Sequence, residues 1–589
     1  VKLARALAPL PRHHSIFFLI MRRLRAPLIV LIVIIAVSVF GLTLIPGVDA
    51  DGQPTRLSFF HAFYFISYTA TTIGFGEIPH AFSEQQRLWV MFCIYLSVIG
   101  WAYTLGTVFA LLGDRNLQQA IQMQRFVRAV RRLREPFYLV CGYGETGRLI
   151  CRALDRLGYR AVVIELDESK VGEIDLHTYA ADVPALTADA RNPETLEFAG
   201  LTHRSCVGVM ALTNDDNANL AIAIAARLLA PHLPALCRAE TAEVAANMAS
   251  FGTRHIINPF EKFGEYLTLA LHSPAAWHLL AWLTGQPGTT IVHHRNPPRG
   301  RWIICGHGRF GRVMVDAMKS QAVPLTIIDR SPQQDPEHTW VQGEGTAADA
   351  LRQAGVGDAV GIVAGTGSDV DNLSIAVTAR ALNPKLFVVL RQNHYTNHAL
   401  FDAFESDITV VPSEIVANEC LAILGTPLLA PFLAEIRRRD EEWCAWVLER
   451  MTRRFGWEVP RVWSERINLV RAPALYRRLM RGERITLGTL LCSPGNRYEA
   501  LACEVLYLRR DDDEPRLIPA SDLVLQPGDE LLLVGRGGAR TELALTLANE
   551  HALNYVLTGE DLPGGLVWEY LSRRRKPHAN ASKPGEQKT

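Results

Sequence analysis

Residues 58–79 read SFFHAFYFISYTATTIGFGEIP. The stretch is too apolar for an ordinary water-exposed loop. Before its glycine-rich end it is also too short to cross a bilayer, which takes about 20 apolar residues as helix. The physical solution is a re-entrant element: a short helix from about Ser58 to Thr69, then an extended return. Non-helical backbone at membrane depth is tolerated only where it is buried in protein or lines a watery cavity. Extended Thr72-Ile73-Gly74-Phe75-Gly76 backbone sets successive carbonyl oxygens along one line, and Gly74 and Gly76 supply the dihedrals that let neighbouring carbonyls point the same way.

The flanks give this element its membrane. Leu28 to Ile45 is an uncharged run between Pro27 and Pro46, and a second uncharged run extends from about Leu88 to Leu112. Both are long enough to span. Their proximity is hard to reconcile with a buried pair of soluble helices. A cleaved signal peptide suits the basic start (Lys2, Arg5, Arg12, Arg22, Arg23, Arg25), but the run is too long and lacks a small-x-small cleavage site. Arginines crowd again after the second run, at 115, 125, 128, 131, 132 and 134, whereas only Arg56 and Arg87 lie between the runs. The positive-inside rule then puts both ends in the cytoplasm, giving a multi-pass protein of the cell (inner) membrane.

The bulk numbers agree. A chain of 589 residues predicts several domains, and 49% hydrophobic residues with a mean hydropathy of +0.08 fit a small membrane part on a large soluble one. A net charge of +1 argues against nucleic acid as partner. The ten cysteines form no CxxC pair, and Cys141, Cys237 and Cys305 sit in apolar runs as buried, reduced thiols would.

Beyond the second run, Leu117, Ala120, Met123, Val127 and Val130 recur at helical spacing with arginines opposite, predicting a helix that continues from the membrane. The strand pattern 137–141 then leads into Gly142-Tyr143-Gly144-Glu145-Thr146-Gly147 and a helical pattern. A second strand pattern, 161–164, ends at Glu165, near the ~20-residue spacing of a dinucleotide fold. The arrangement recurs: strand 302–305, Gly306-His307-Gly308-Arg309-Phe310-Gly311, strand 325–328, Asp329. Gly142 to Gly306 and Glu165 to Asp329 are both offsets of 164, whereas Asn219 to Asn372, Arg227 to Arg380 and Pro259 to Pro412 are offsets of 153. The soluble part is an internal duplication of a doubly wound α/β domain, with the second copy shorter by about 11 residues. Residues 262–284, helical and rich in Trp and Leu, suit an interface between the copies. Leu525 to Gly535 places a PGD turn before an apolar run, as in a β-hairpin or edge. Asp511-Asp512-Asp513-Glu514 has the charge to hold calcium, but a solvated loop accounts for it more simply. The stretch from about Ser572 has the composition of a disordered tail.

Thr71-Thr72-Ile73-Gly74-Phe75-Gly76-Glu77, after Tyr64-Phe65 and Thr69-Ala70, resembles the potassium-channel signature, which is itself the usual illustration of carbonyl selectivity. The resemblance implies a selectivity filter at Thr72, Ile73, Gly74, Phe75 and Gly76. Potassium would be held by the carbonyls of the first four, with the Thr72 hydroxyl innermost. Phe75 replaces the family's tyrosine, losing a hydroxyl that braces the filter from behind, and Glu77 replaces its aspartate. One filter copy per chain implies a homotetramer. The second span would line the cavity, with Gly100 and Gly106 as hinge points or close-packing points. The duplicated part, with TNDDNANL and TGSDVDNL after the boxes, resembles RCK (KTN or TrkA-N) domains over roughly 137–260 and 301–415, and 525–535 is similar to the closing hairpin of a small RCK-C lobe.

The implied architecture is an α-helical pore domain of two spans and a re-entrant pore helix (1–112), a linker helix (113–136), a first RCK domain (137–285), a linker (286–300), a second RCK domain with its helices (301–480), a small α+β RCK-C lobe (481–571) and a tail (572–589). The implied ligand is an adenine nucleotide, NAD(H) or ADP/ATP. Gly142, Gly144, Glu145, Thr146, Gly147, Arg148 and Glu165 form the first site, and Gly306, Gly308, Gly311, Arg312 and Asp329 the second. The boxes alone also permit a membrane-anchored NAD-dependent oxidoreductase, and RCK domains serve as regulatory subunits of potassium transporters. The boxes lack a following catalytic His, Lys or Tyr constellation, and an exchanger needs many more spans, so a channel without enzyme activity is the expected function.

Overall fold

The computed structural model describes residues 14–48, 53–78, 81–285, 287–289, 295–331, 337–510 and 513–560. Lys2, Arg5, Arg12, Pro79, Gln286, Asp511, Asp512 and the tail from Ser572 lie outside the described residues. The chain divides after Arg132 into two compact units.

In the first unit, helix His14–Leu44 contains an apolar window, Ile20–Leu44, with mean hydropathy 2.8. The helix does not start at Pro27, as the sequence suggests; Pro27 lies inside it. Proline removes one N–H from the helical ladder, a loss that membrane helices tolerate through local adjustment. The short helix Phe59–Ala70 is capped by Ser58, whose side chain accepts from the His61 N–H at 3.4 Å. The second span, Glu84–Leu112, has mean hydropathy 1.8 and opens on a capping box of Ser83 and Gln86. Val39, Leu42, Phe65, Ile66, Phe82 and Cys93 bind the three helices together. Outward, Ile32, Val33, Phe40, Leu88, Tyr95, Ile99 and Phe109 are exposed, a surface that fits lipid or another subunit and not water. The two glycines of the second span differ. A Cβ on Gly100 would lie 2.7 Å from Ile34 Cδ1, whereas one on Gly106 would meet nothing within 4 Å. Gly100 serves close helix contact, leaving Gly106 as the unobstructed position. The next helix, Arg115–Arg132, contains no acidic residue; Leu117, Phe126, Val127 and Val130 are buried, and Arg125, Arg128, Arg131 and Arg132 are exposed.

The second unit contains two six-stranded parallel sheets. By first residue, the strand order is 185-160-137-206-235-255 in one and 339-325-302-361-387-408 in the other. Both are the dinucleotide-fold order. Val140 sits between Val163 and Met210, and its equivalent Ile304 between Ile327 and Val363, so the duplication extends to register. The central strands are apolar at every position because helices cover both faces.

The helix after each sheet leaves its own half. Helix Pro259–His272 lays Phe260 and Phe263 on Phe310 of the second half, and helix Pro412–Gly425 lays Val416, Ala417 and Cys420 on Ile150, Cys151 and Leu154 of the first. The neighbouring helix Pro274–Thr284 packs with Leu428, Phe432, Val447 and Leu506. Bulk is redistributed at equivalent positions: Thr146 and Leu212 in the first half become Phe310 and Gly365 in the second. A Cβ on Gly365 would lie 2.6 Å from Phe310 Cδ1. Gly365→Ala is therefore expected to destabilise the soluble unit by about 1–3 kcal/mol, with relief by Phe310→Leu, read from thermal unfolding of the two variants.

The third sheet is antiparallel, in the order 461-530-503-516 by first residue. Two expectations change here. Strand Glu530–Gly535, after the PGD turn, lies in the interior of the sheet and not at an edge, because Arg461–Arg466 pairs along its far side. The small lobe accordingly begins upstream of 481. Asp529 is fully buried and accepts from Arg510 Nε and the Gln526 N–H, each at 2.8 Å. Asp513 lies 3.6 Å from Arg510, which ties the described end of the acidic run to an arginine.

Candidate functional site

The return segment starts where the short helix ends at Thr71. Thr72, Gly74 and Gly76 have φ of 63°, 69° and 96°, and the intervening Ile73 and Phe75 do not share this positive φ. Alternation of this kind lets consecutive carbonyls face one side, and it extends the two-glycine expectation to Thr72. A Cβ on Gly74 or Gly76 would touch nothing within 4 Å, so these positions need glycine for conformation and not for space. Ile73 and Phe75 are exposed in the single chain. Behind the segment, the Tyr68 hydroxyl donates to the Gly76 carbonyl. Glu77 accepts from Arg87 Nε at 2.9 Å, from Arg87 Nη2 at 3.0 Å and from the Phe82 N–H at 2.8 Å. Tyr68 and Arg87 are functional candidates that the sequence reading passed over.

In the first glycine box, Gly142 has φ 98° and its N–H reaches the Ile164 carbonyl at 2.8 Å. Gly144 caps helix Glu145–Arg156 without any side-chain hydrogen bond, and a Cβ there would meet open space. Gly147 is different: its Cβ would lie 2.1 Å from the Gly142 carbonyl oxygen. The box therefore combines a tight turn, an open approach to a helix N-terminus and a close helix–strand contact, the three uses of glycine in a diphosphate cradle. Glu165 is buried at the end of its strand and accepts from the Tyr143 N–H at 2.5 Å and from the N–H groups of Leu166 and Asp167 at 2.9 and 3.1 Å. Its carboxylate thus stands against the box itself, fixed by backbone donors. Thr146 is buried and its hydroxyl has no hydrogen-bond partner among the described residues. Glu145 is half-buried, and Arg148 leans toward Glu173, 3.7 Å away.

The second box repeats the frame. Gly306 has φ 92°, Gly308 caps the next helix with open space at its Cβ, and a Cβ on Gly311 would lie 1.9 Å from the Gly306 carbonyl oxygen. Asp329 accepts from the His307 N–H at 2.7 Å and the Ser331 N–H at 2.9 Å. Arg312 is exposed. His307 stands edge-on to Trp340, and burial lowers its pKa, which favours the neutral imidazole. Sequence reasoning missed Arg309, which reaches across the halves to Glu240 at 2.7 Å; Glu240 also pairs with the buried Arg238. Arg391, equivalent to Arg238, is half-buried over the Phe260 and Phe310 rings, and desolvation lowers its pKa to about 10. Burial pushes the Cys305 thiol up to about 12 and Cys141 well above the ordinary thiol range, which disfavours the nucleophilic thiolate at both. Among the described residues no cluster of three His, Cys, Asp or Glu is arranged to hold a metal ion.

Comparison with known proteins divides the chain in the same way. Residues 28–114 match the family described as Ion channel, and residues 138–259 and 302–412 each match the TrkA-N domain. Potassium channel protein 1 of Methanocaldococcus jannaschii is 23% identical over 234 residues, covering 40% of this chain and 66% of the relative. The voltage-gated potassium channel Kch of Escherichia coli is 22% identical over 176 residues, covering 30% of this chain and 40% of the relative. The chain thus spans less than two thirds of the length of either. A solved structure, the GsuK Channel, aligns with 90% of this chain and 98% of its own at 18% identity and a TM-score of 0.44.

Proposed function

We infer that this chain, which joins an ion-channel domain to two TrkA-N domains, is the subunit of a potassium-selective membrane channel gated by an adenine nucleotide. The observation that carries the reading is the alternation of positive φ at Thr72, Gly74 and Gly76 in a segment held between two apolar spans. Carbonyl oxygens presented in register replace the water around a dehydrated cation. The names of both potassium-channel relatives agree with the ion. One filter segment per chain requires about four copies around an axis, so the working unit is a homotetramer in the cell membrane with both chain ends cytoplasmic.

The gating ligand is assigned to the first box. Gly142 and Gly144 admit a diphosphate to the free N–H groups of helix Glu145–Arg156, whose dipole favours negative charge. Glu165 accepts ribose hydroxyls and repels a 2′-phosphate, which selects NAD(H) or ADP/ATP over NADP(H). Asp329 and the second box have the same frame. Binding shifts the pore only through its difference in affinity for two shapes of the soluble unit, ~1–3 kcal/mol in typical couplings.

Two measurements on the reconstituted full chain test this. Reversal potentials in mixed potassium and sodium should show strong preference for potassium; equal permeabilities refute the pore assignment. Titration calorimetry should show binding of an adenine nucleotide that Glu165→Ala weakens about tenfold to a hundredfold, the loss of a charged hydrogen bond. Open probability should change over the same nucleotide concentrations. Binding without such a change refutes the gating assignment and leaves the pore.

A further inference from the structure

We propose that the outer end of the filter is held by a two-point brace, Tyr68 on the Gly76 carbonyl and Arg87 on Glu77, which keeps the filter conducting; the proposal rests on reading residues 72–76 as the filter. Phe75 carries no hydroxyl, so the residue at that position cannot anchor itself to the helix behind. Tyr68, on that helix, supplies the missing donor from the other side. Its ring is buried and packs edge-on against Tyr64, Phe65 and Phe75, with centroids 5.3, 5.3 and 5.4 Å away. That packing leaves the hydroxyl aimed at Gly76, which it reaches. A carbonyl that accepts from Tyr68 is turned back into the protein. Gly76 then acts as an anchor, and the carbonyls of Thr72, Ile73, Gly74 and Phe75 are left to meet the ion.

The second point is one residue further along. Arg87 grips both oxygens of Glu77, and the Phe82 N–H adds a third donor to the same carboxylate. An exposed ion pair is ordinarily worth little, but a two-pronged arginine–carboxylate contact reinforced by a backbone donor is the geometry that holds position. Two consecutive residues of the return segment are thereby fixed to two different elements: Gly76 to the pore helix and Glu77 to the first turn of the second span. The carboxylate that replaces the family's aspartate is neutralised by Arg87 and serves as a fastening. Tyr68 and Arg87 are positioning residues: neither touches the ion.

The test uses the full chain in planar bilayers, comparing wild type with Tyr68→Phe, Arg87→Gln and the charge-conserving Arg87→Lys. Tyr68→Phe and Arg87→Gln should still conduct potassium. In low external potassium each should enter a non-conducting state at least about fivefold faster than wild type, the effect of losing one net hydrogen bond in a single subunit, and high external potassium should restore the wild-type rate by filling the filter. Arg87→Lys, with one prong instead of two, should fall between. The mass of the detergent complex checks assembly. If Arg87→Gln does not assemble, Tyr68→Phe, which removes a single oxygen from a buried ring, decides the matter alone. Wild-type rates in Tyr68→Phe and Arg87→Gln at low external potassium overturn the brace while the pore reading stands. A wild type that carries no selective potassium current overturns both.

Discussion

Gly76→Ala and Gly74→Ala are each expected to abolish selective potassium current without unfolding the protein. An added Cβ meets nothing within 4 Å at either position, so the substitution has no steric quarrel with its own chain. The conflict is with the backbone, held at φ 96° and 69°. An L side chain in the left-handed region costs roughly 1–2 kcal/mol per residue, and around a fourfold pore roughly 4–8 kcal/mol. Relaxing that strain rotates a peptide and takes one level of carbonyls out of line. Bilayer recording should therefore show no potassium-selective current, while the complex keeps its mass and its unfolding temperature. Gly106→Ala is the control, since it lies on the second span away from the filter and is also unobstructed; it should leave the reversal potential unchanged. Selective current in both Gly74→Ala and Gly76→Ala contradicts the carbonyl mechanism.

The second large effect separates binding from folding within one motif. Gly144→Val places a side chain where the protein has only open space, directly before the free N–H groups of helix Glu145–Arg156. Nucleotide affinity should fall by about a hundredfold or more, as steric exclusion from a phosphate cradle does, with little change in stability. Gly147→Ala should do the reverse. Its Cβ would lie 2.1 Å from a backbone carbonyl that cannot move aside, and the soluble unit should lose about 3 kcal/mol or more. Calorimetry and thermal unfolding on the same two proteins read both effects. Gly308→Val repeats the experiment in the second half and reports whether that box contributes. Unchanged affinity in both Gly144→Val and Gly308→Val places the ligand elsewhere.

What was legible from the sequence was what local chemistry dictates. The return segment shows because glycine at 74 and 76 takes those dihedrals without the strain a Cβ brings, and the boxes show because Gly147 and Gly311 each sit against a carbonyl. The duplication shows because the strand patterns recur at an offset of 164 before the second copy's shortening, and the later landmarks at 153 after it. The missed features depend on residues far apart in the chain. Pro27 reads as a helix boundary but sits within a helix. Glu530–Gly535 reads as a possible edge, because nothing local announces Arg461–Arg466 as its neighbour. Arg87 counted only as one of two basic residues between the spans; its grip on Glu77 requires the return segment to pass the start of the second span. Arg309 finds Glu240 only once the two halves are joined.

The exchanged helices also impose an order on biosynthesis. Ile150, Cys151 and Leu154 are covered by Val416, Ala417 and Cys420, which leave the ribosome about 270 residues later, a delay of roughly 15–50 s at ordinary elongation rates. Throughout that interval the nascent first half presents an uncovered apolar face. Chaperone capture should be concentrated there, and chains truncated before Pro412 should have a first half that stays sticky however long it is given to mature.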